Sequence, residues 1–287
     1  MPVDLNCLHP ITATSLLEKK LSDQPSYVAP NILPKGGTLL LGGRAKIGKS
    51  LCALEFARSL ITGLPVFDCP LITVPETINC LYLESEVGEW GMQARMKLAL
   101  SGLSKAETDR LAIISRIRCL RLDDDTCVKK IIQMVNETEA SVLFLDPISK
   151  FSGYFNENDN TSVNMLFGVL DKIKQESKKE LSMVLTHHFG KGPRVLKPDD
   201  QYNPLDPDNF RGASKWVDEV DTIICIARLT QPKVEPNGWA IRSNWTLRQG
   251  KPIFDNDPMF TIFENENGRV LYKEEQTKRT PSRLSSK

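Results

Sequence analysis

Short continuous apolar runs alternate with helix-period stripes along most of the chain. Thr38 to Leu41 reads as a buried strand, and a helix follows from about Gly48 to Thr62. That helix is apolar on most faces (Leu51, Ala53, Leu54, Phe56, Ala57, Leu60, Ile61), which predicts near-complete burial, and Gly63 and Pro65 stop it. Ile78 to Leu83 is the next predicted strand. A helix from about Glu89 to Leu100 carries Trp90, Ala94 and Leu98 four residues apart, and Leu111 to Ile114 is a strand. Asp123 to Asp125 can cap a helix bearing Val128, Ile131, Ile132 and Val135, an i, i+3, i+4, i+7 stripe. Val142 to Leu145 is a short buried strand ending in Asp146. Asp159 to Thr161 can cap a helix with Val163, Leu166, Phe167 and Leu170 on one face. Leu181 to Thr186 and Asp221 to Ala227 are further strands.

Beyond Leu229 the helical pattern stops, and Trp239 to Leu247, Pro258 to Phe263 and Val270 to Tyr272 read as short antiparallel strands. Near the start, a short helix is expected around Thr14 to Leu21. Pro25, Pro30 and Pro34 then punctuate an extended connector, and Lys35-Gly36-Gly37 is a turn. Strands alternating with helices imply an α/β fold: a mostly parallel sheet covered on both faces, extended at one edge by C-terminal antiparallel strands. The expected layout is an N-terminal extension over residues 1–30, one domain over 31–273, and a polar, disordered tail over 274–287.

Composition adds exclusions. The chain has 287 residues, enough for one α/β core with extensions, and 40% of them are hydrophobic. A formal net charge of +1 excludes a uniformly basic coat, so nucleic-acid contact requires a local cluster of Lys and Arg. The seven Cys include no C-x-x-C pair. Several sit in apolar runs and read as reduced core thiols of a cytoplasmic protein. No apolar run approaches the ~20 residues needed to span a bilayer, and the first residues do not form a secretory signal, so no membrane association is expected.

Chemistry enters at Gly43-Arg44-Ala45-Lys46-Ile47-Gly48-Lys49-Ser50, which matches G-x-x-x-x-G-K-[ST]. Phosphate oxygens must approach bare backbone N–H groups, and Gly43 and Gly48 let the chain curl that closely. The following helix, with Leu51 in its first turn, aims its positive end at the phosphates. Lys49 is expected to reach the β- and γ-phosphates of ATP, and the Ser50 hydroxyl to ligate Mg²⁺. A second carboxylate near the metal is required, and Asp146 is the candidate. A base or water-positioning group is also needed. Glu84 and Glu86 follow a strand, on the same side if the strand runs that far, at the edge where α/β sheets bind ligands. His187 and His188 end another strand and are candidates to sense the γ-phosphate. Adjacent strand positions face opposite ways, which argues against a zinc pair.

Together these residues resemble the RecA-like hexameric helicases of the plasmid RepA type, relatives of DnaB, RadA and KaiC. The resemblance runs from about Leu33 to Leu229 and is carried by residues 33–50, 81–86, 93–95, 143–151, 186–192 and 211–218. It implies a RecA-like P-loop NTPase core and ATP hydrolysis between subunits of a ring, by a motor on single-stranded DNA. It places Glu86 at the catalytic Glu, His188 near the γ-phosphate and Arg211 at the arginine finger. Where the family often has Asp after its Glu, this chain has Val87. DnaB-like enzymes offer a second finger position at Arg248, but the Lys expected two residues earlier is Thr246.

Two segments, 149–160 and 190–209, read as long irregular loops, which in compact domains are commonly functional. In RecA-like rings the corresponding loops face the central channel. Lys191, Arg194 and Lys197 are the candidate DNA contacts. The first loop holds Lys150, and its aromatics Phe151, Tyr154 and Phe155 are candidates to stack on bases, or to lie buried under their loop. The rival readings are a RadA-type filament-forming recombination ATPase and an ATP-binding regulatory or loader protein with little turnover.

Overall fold

The computed structural model describes residues 10, 12–18, 27–30, 32–70, 72–188, 190, 214–228, 238–245, 259–264 and 269–273. Helix α1 (Ala13–Glu18) precedes a short antiparallel pair, β1 (Tyr27–Ala29) and β2 (Leu33–Pro34). Then come β3 (Thr38–Gly43), α2 (Lys49–Thr62), β4 (Cys80–Glu84), α3 (Glu89–Ala99), α4 (Lys105–Thr108), β5 (Leu111–Ile114), α5 (Asp125–Glu137), β6 (Val142–Asp146), α6 (Asn160–Glu176) and β7 (Ser182–His188). Helix α7 (Lys215–Asp218) leads to β8 (Thr222–Arg228), β9 (Gly238–Trp245), β10 (Met259–Glu264) and β11 (Val270–Lys273).

A nine-stranded sheet has the order β11-β10-β9-β8-β3-β7-β6-β4-β5. The six strands from β8 to β5 are parallel, and β9, β10 and β11 continue the β8 edge antiparallel. This is the α/β arrangement of a RecA-like P-loop NTPase core. The β1–β2 pair lies within the expected connector. Val28 and Ala29 from β1 are buried in the same core as Leu39 and Phe56.

Strand alternation divides the interior into two layers. Leu39, Leu41, Tyr82, Phe144, Val184 and Ile224 face α2 and α3. Leu40, Leu81, Leu83, Leu143, Leu145, Met183 and Ile223 face α5, α6 and Trp216. The central strands are apolar on both faces because both are covered. Carboxylates fix two helix starts: Asp124 accepts from Thr126 N and Cys127 N, and Asp159 accepts from Ser162 N.

Segment 149–160 is irregular up to the start of α6, apart from one 3₁₀ turn over Ile148–Lys150. Of the two roles open to Phe151, burial holds: it is fully buried in the α5/α6 layer, where its ring fills the core and cannot stack on a base. The thiols are mixed: Cys52, Cys69, Cys80 and Cys225 are buried, but Cys119 is exposed and Cys127 half-buried. Among the described residues, no helix is long and apolar enough to cross a membrane.

Candidate functional site

Parallel strands bring the C-terminal ends of β3, β4, β6 and β7 to one edge of the sheet, the place where α/β folds bind ligands. The phosphate-loop candidate leaves β3 at that edge. Gly48 has φ 109°, a left-handed conformation that L side chains rarely adopt. A Cβ on Gly43 would lie 2.8 Å from the Ile226 carbonyl oxygen and 2.9 Å from the Ile47 side chain. Gly43 is therefore needed for close approach to β8 as well as for the curl of the loop. Arg44, Ala45 and Lys46 are exposed, and Ile47, Ser50 and Leu51 are partly buried.

Lys49 lies back under the loop. Its ammonium donates to the carbonyls of Gly43 and Arg44, both at 3.0 Å, and stands 3.1 Å from His188 Nδ1. An ammonium has only protons to give, so His188 Nδ1 accepts. The adjacent imidazole points the other way, as alternation requires. His187 is fully buried, with its ring centroid 4.3 Å from that of Trp216. The structure thus assigns the two histidines to different layers.

Burial lowers the Lys49 pKa to about 8, against the opposing charges of Asp146 and Glu86. This has a measurable consequence. Below about pH 8 the free protein already holds the proton that a bound triphosphate demands. Above it, binding must take that proton up, because the phosphates raise the Lys49 pKa. Nucleotide Kd should be insensitive to Lys49 on the acid side and should weaken about tenfold per pH unit above about pH 8. Calorimetry in two buffers of different ionisation enthalpy counts the protons. Absence of uptake at about pH 9 would place Lys49 away from the phosphates.

Asp146, at the end of β6, is buried. Tyr82 Oη donates to its Oδ2 at 2.6 Å, and Thr186 Oγ1 donates to its Oδ1. Desolvation and the neighbouring carboxylate push the Tyr82 pKa well above the ordinary tyrosine value, so it remains a hydroxyl donor. Tyr82 and Thr186 are partners that motif matching does not reveal. Their signal is a polar residue inside an apolar strand, on the layer that Asp146 faces.

The two acids at the end of β4 and just after it differ completely. Glu84 is buried, and its carboxylate accepts backbone N–H from Glu86 (2.7 Å), Val87 (2.7 and 2.8 Å) and Arg116 (3.3 Å). Burial raises its pKa, with those N–H groups working against the rise. Glu86 is exposed, and its charge is close enough to act on Lys49. Alternation would carry both acids to one side only if the strand ran to Glu86, but β4 ends at Glu84 and the chain turns there. Glu84 shapes the turn that presents Glu86.

Replacing Glu84 by Gln keeps the volume but removes the charge that receives those N–H groups. Hydrogen bonds to a charged acceptor exceed neutral ones by roughly 1 kcal/mol. With three donors sharing the loss, kcat should fall about five- to thirtyfold with little change in KM. Steady-state ATP hydrolysis measures it, and an unchanged kcat would show that the turn holds without Glu84.

Among the described residues no three His, Cys, Asp or Glu side chains cluster as a metal cage. Mg²⁺ seldom uses one. It keeps waters and takes one or two protein oxygens beside the substrate phosphates. A Ser50 hydroxyl in the first turn of α2 and the Asp146 carboxylate fit that donor set. Arg211, Lys191, Arg194, Lys197 and Arg248 lie outside the described residues.

A family model described as an AAA domain matches residues 8–194. A search of curated proteins gave no match.

Proposed function

The chain belongs to the AAA domain family of P-loop ATPases, and from that premise we propose that it is a ring-forming, ATP-driven motor on single-stranded DNA, a replicative helicase of the RepA type. The observation that carries this reading is the meeting of Lys49, His188, Asp146 and Glu86 at one sheet edge. In the proposed roles, the amides from Gly43 to Leu51 and the Lys49 ammonium hold ATP. Ser50 and Asp146 hold Mg²⁺, which neutralises phosphate charge when bound. Glu86 takes the proton of the attacking water, and Asp146 is kept in place by Tyr82 and Thr186. His188, linked to Lys49, registers whether the γ-phosphate is present.

Arg211 completes the site as a finger from the neighbouring subunit, a role worth on the order of 10³–10⁵ in kcat in GTPase systems. A subunit alone is then a poor ATPase. Lys191, Arg194 and Lys197 contact DNA in the channel, so hydrolysis is coupled to strand movement. Domain limits of 31–273, with a flanking extension and tail, belong to the same proposal.

The test is ATP hydrolysis as a function of protein concentration, with and without single-stranded DNA, alongside a mass measurement. The reading expects specific activity that rises with concentration and rises again with DNA. Activity indifferent to both would reject it. Slow hydrolysis equal in native protein and Glu86→Gln would favour a regulatory ATP-binding protein. Filaments in electron microscopy would favour a recombination ATPase.

A further inference from the structure

We propose that the loop joining β5 to α5, residues 115–124, is a second contact for single-stranded nucleic acid, with its arginines on phosphates and Tyr154 stacked on a base. The inference rests on the reading of the chain as a single-strand motor.

Arg116, Arg118 and Arg121 fall within six residues, just past the C-terminal end of β5, on the sheet edge that also carries the phosphate loop. Arg116 and Arg118 are exposed, and among the described residues no carboxylate pairs with either side chain. The acids that follow are engaged elsewhere. Asp123 receives both Arg121 Nε and Nη2, at 2.9 and 2.7 Å, and Asp124 caps α5. Asp125 pairs with Lys172 at 2.9 Å. Exposed Glu86 and Glu89, on either side of Gly88, bound the tract where the Arg116 side chain passes that glycine. Lys150 is exposed too, next in the chain to Phe151, whose carbonyl receives Leu122 N of this loop.

The loop is held in shape. Arg116 has φ 54°, uncommon for a residue with a side chain, and its N–H is fixed by the Glu84 carboxylate. Ile117 N donates to the Glu84 carbonyl at 2.9 Å, and Leu122 N to the Phe151 carbonyl at 2.7 Å. The loop is thereby tied to the turn bearing Glu86 and to the link bearing Tyr154.

Tyr154 supplies the feature specific to nucleic acid. The residue is 84% exposed, although Arg121 lies over its ring at 4.1 Å from the centroid. Asp123 receives its backbone N–H at 3.0 Å. One ring face is thus occupied by a guanidinium that is itself pinned, and the rest of the ring stays open. Such a fixed, open aromatic, joined through Arg121 to a loop with two exposed arginines, suits an unstacked base with its phosphates. A duplex offers no free base face, and the carboxylates of an acidic peptide do not stack on a ring.

The test is fluorescence anisotropy of labelled oligothymidylate with the full chain over a range of salt. Asn tolerates positive φ, so the charge variant is Arg116→Asn with Arg118→Ala. Losing two phosphate contacts should reduce the slope of log K against log salt by about 1.4. Tyr154→Ala should weaken binding roughly five- to 150-fold with the slope unchanged, by loss of stacking on one base. Arg118→Ala alone, which leaves the strained residue unchanged, should give about half of that slope change. Native binding with unaltered slopes in both charge variants overturns the site and leaves the motor reading standing. No oligothymidylate binding by the native chain overturns both. Tighter binding of polyglutamate than of oligothymidylate at equal salt overturns the site in favour of an acidic protein partner.

Discussion

Lys49→Met is expected to lower kcat/KM for ATP by on the order of 10²–10³ while leaving the fold intact. The cation is buried beneath the phosphate loop, and its surroundings push its pKa down. A charge kept there costs folding free energy, because burial disfavours the charged form. Its three polar neighbours, the carbonyls of Gly43 and Arg44 and His188 Nδ1, offset only part of that cost. Methionine nearly fills the same volume and carries no charge to desolvate. The variant should therefore melt within a few degrees of the native protein, with hydrolysis and nucleotide affinity both collapsed. Melting curves and steady-state kinetics on one preparation test this. Retained activity would show that the ammonium does not meet the phosphates. A large loss of stability with retained affinity would mean that Lys49 serves the loop and not the nucleotide.

What the sequence makes legible follows from how local the physics is. The strand at Val142 to Asp146 and the stripe of α5 announce themselves because burial on both faces, or on one helical face, leaves a periodic trace. The Asp124 and Asp159 caps are equally local. The opposite facing of His187 and His188 needs only the two-residue period of a strand. The same rule fails two residues past the end of β4: Glu84 turns inward to collect N–H groups, and period-2 reasoning has no meaning beyond a strand's last residue. Phe151 was open to either reading, exposed or buried, because an irregular backbone has no period. The hydroxyls on Asp146 come from two other strands, β4 and β7, and only the sheet order brings them together. Likewise the arginines at 116, 118 and 121 form no recognised motif. Their significance comes from Tyr154, more than thirty residues later, lying against Arg121.

Trp216→Ala should destabilise the protein by about 3–5 kcal/mol, the usual cost of truncating a buried aromatic. Trp216 is fully buried although it belongs to the four-residue helix α7, too short to be stable by itself. Its ring packs edge-on to Phe167 of α6, 5.6 Å between centroids, and against His187 of β7. Its Nε1 donates to the Glu157 carbonyl at 3.2 Å, a hydrogen bond that truncation also removes. α7 is also tied to α6 through Asn160, whose side-chain oxygen receives Lys215 N at 3.3 Å and Ser214 Oγ at 3.5 Å, both exposed, and Val217 packs against the same layer. Trp216 is the fully buried anchor of this segment, which follows Arg211. Trp216→Phe keeps most of the packing and loses the hydrogen bond, and should cost roughly 1–2 kcal/mol. Urea unfolding of the two variants against the native chain measures the difference. If the Ala variant loses less than about 1 kcal/mol, Trp216 is not a core residue and α7 is held some other way. If the Phe variant is nearly native in stability and hydrolysis while the Ala variant loses both, the ring is what keeps the region after Arg211 in position.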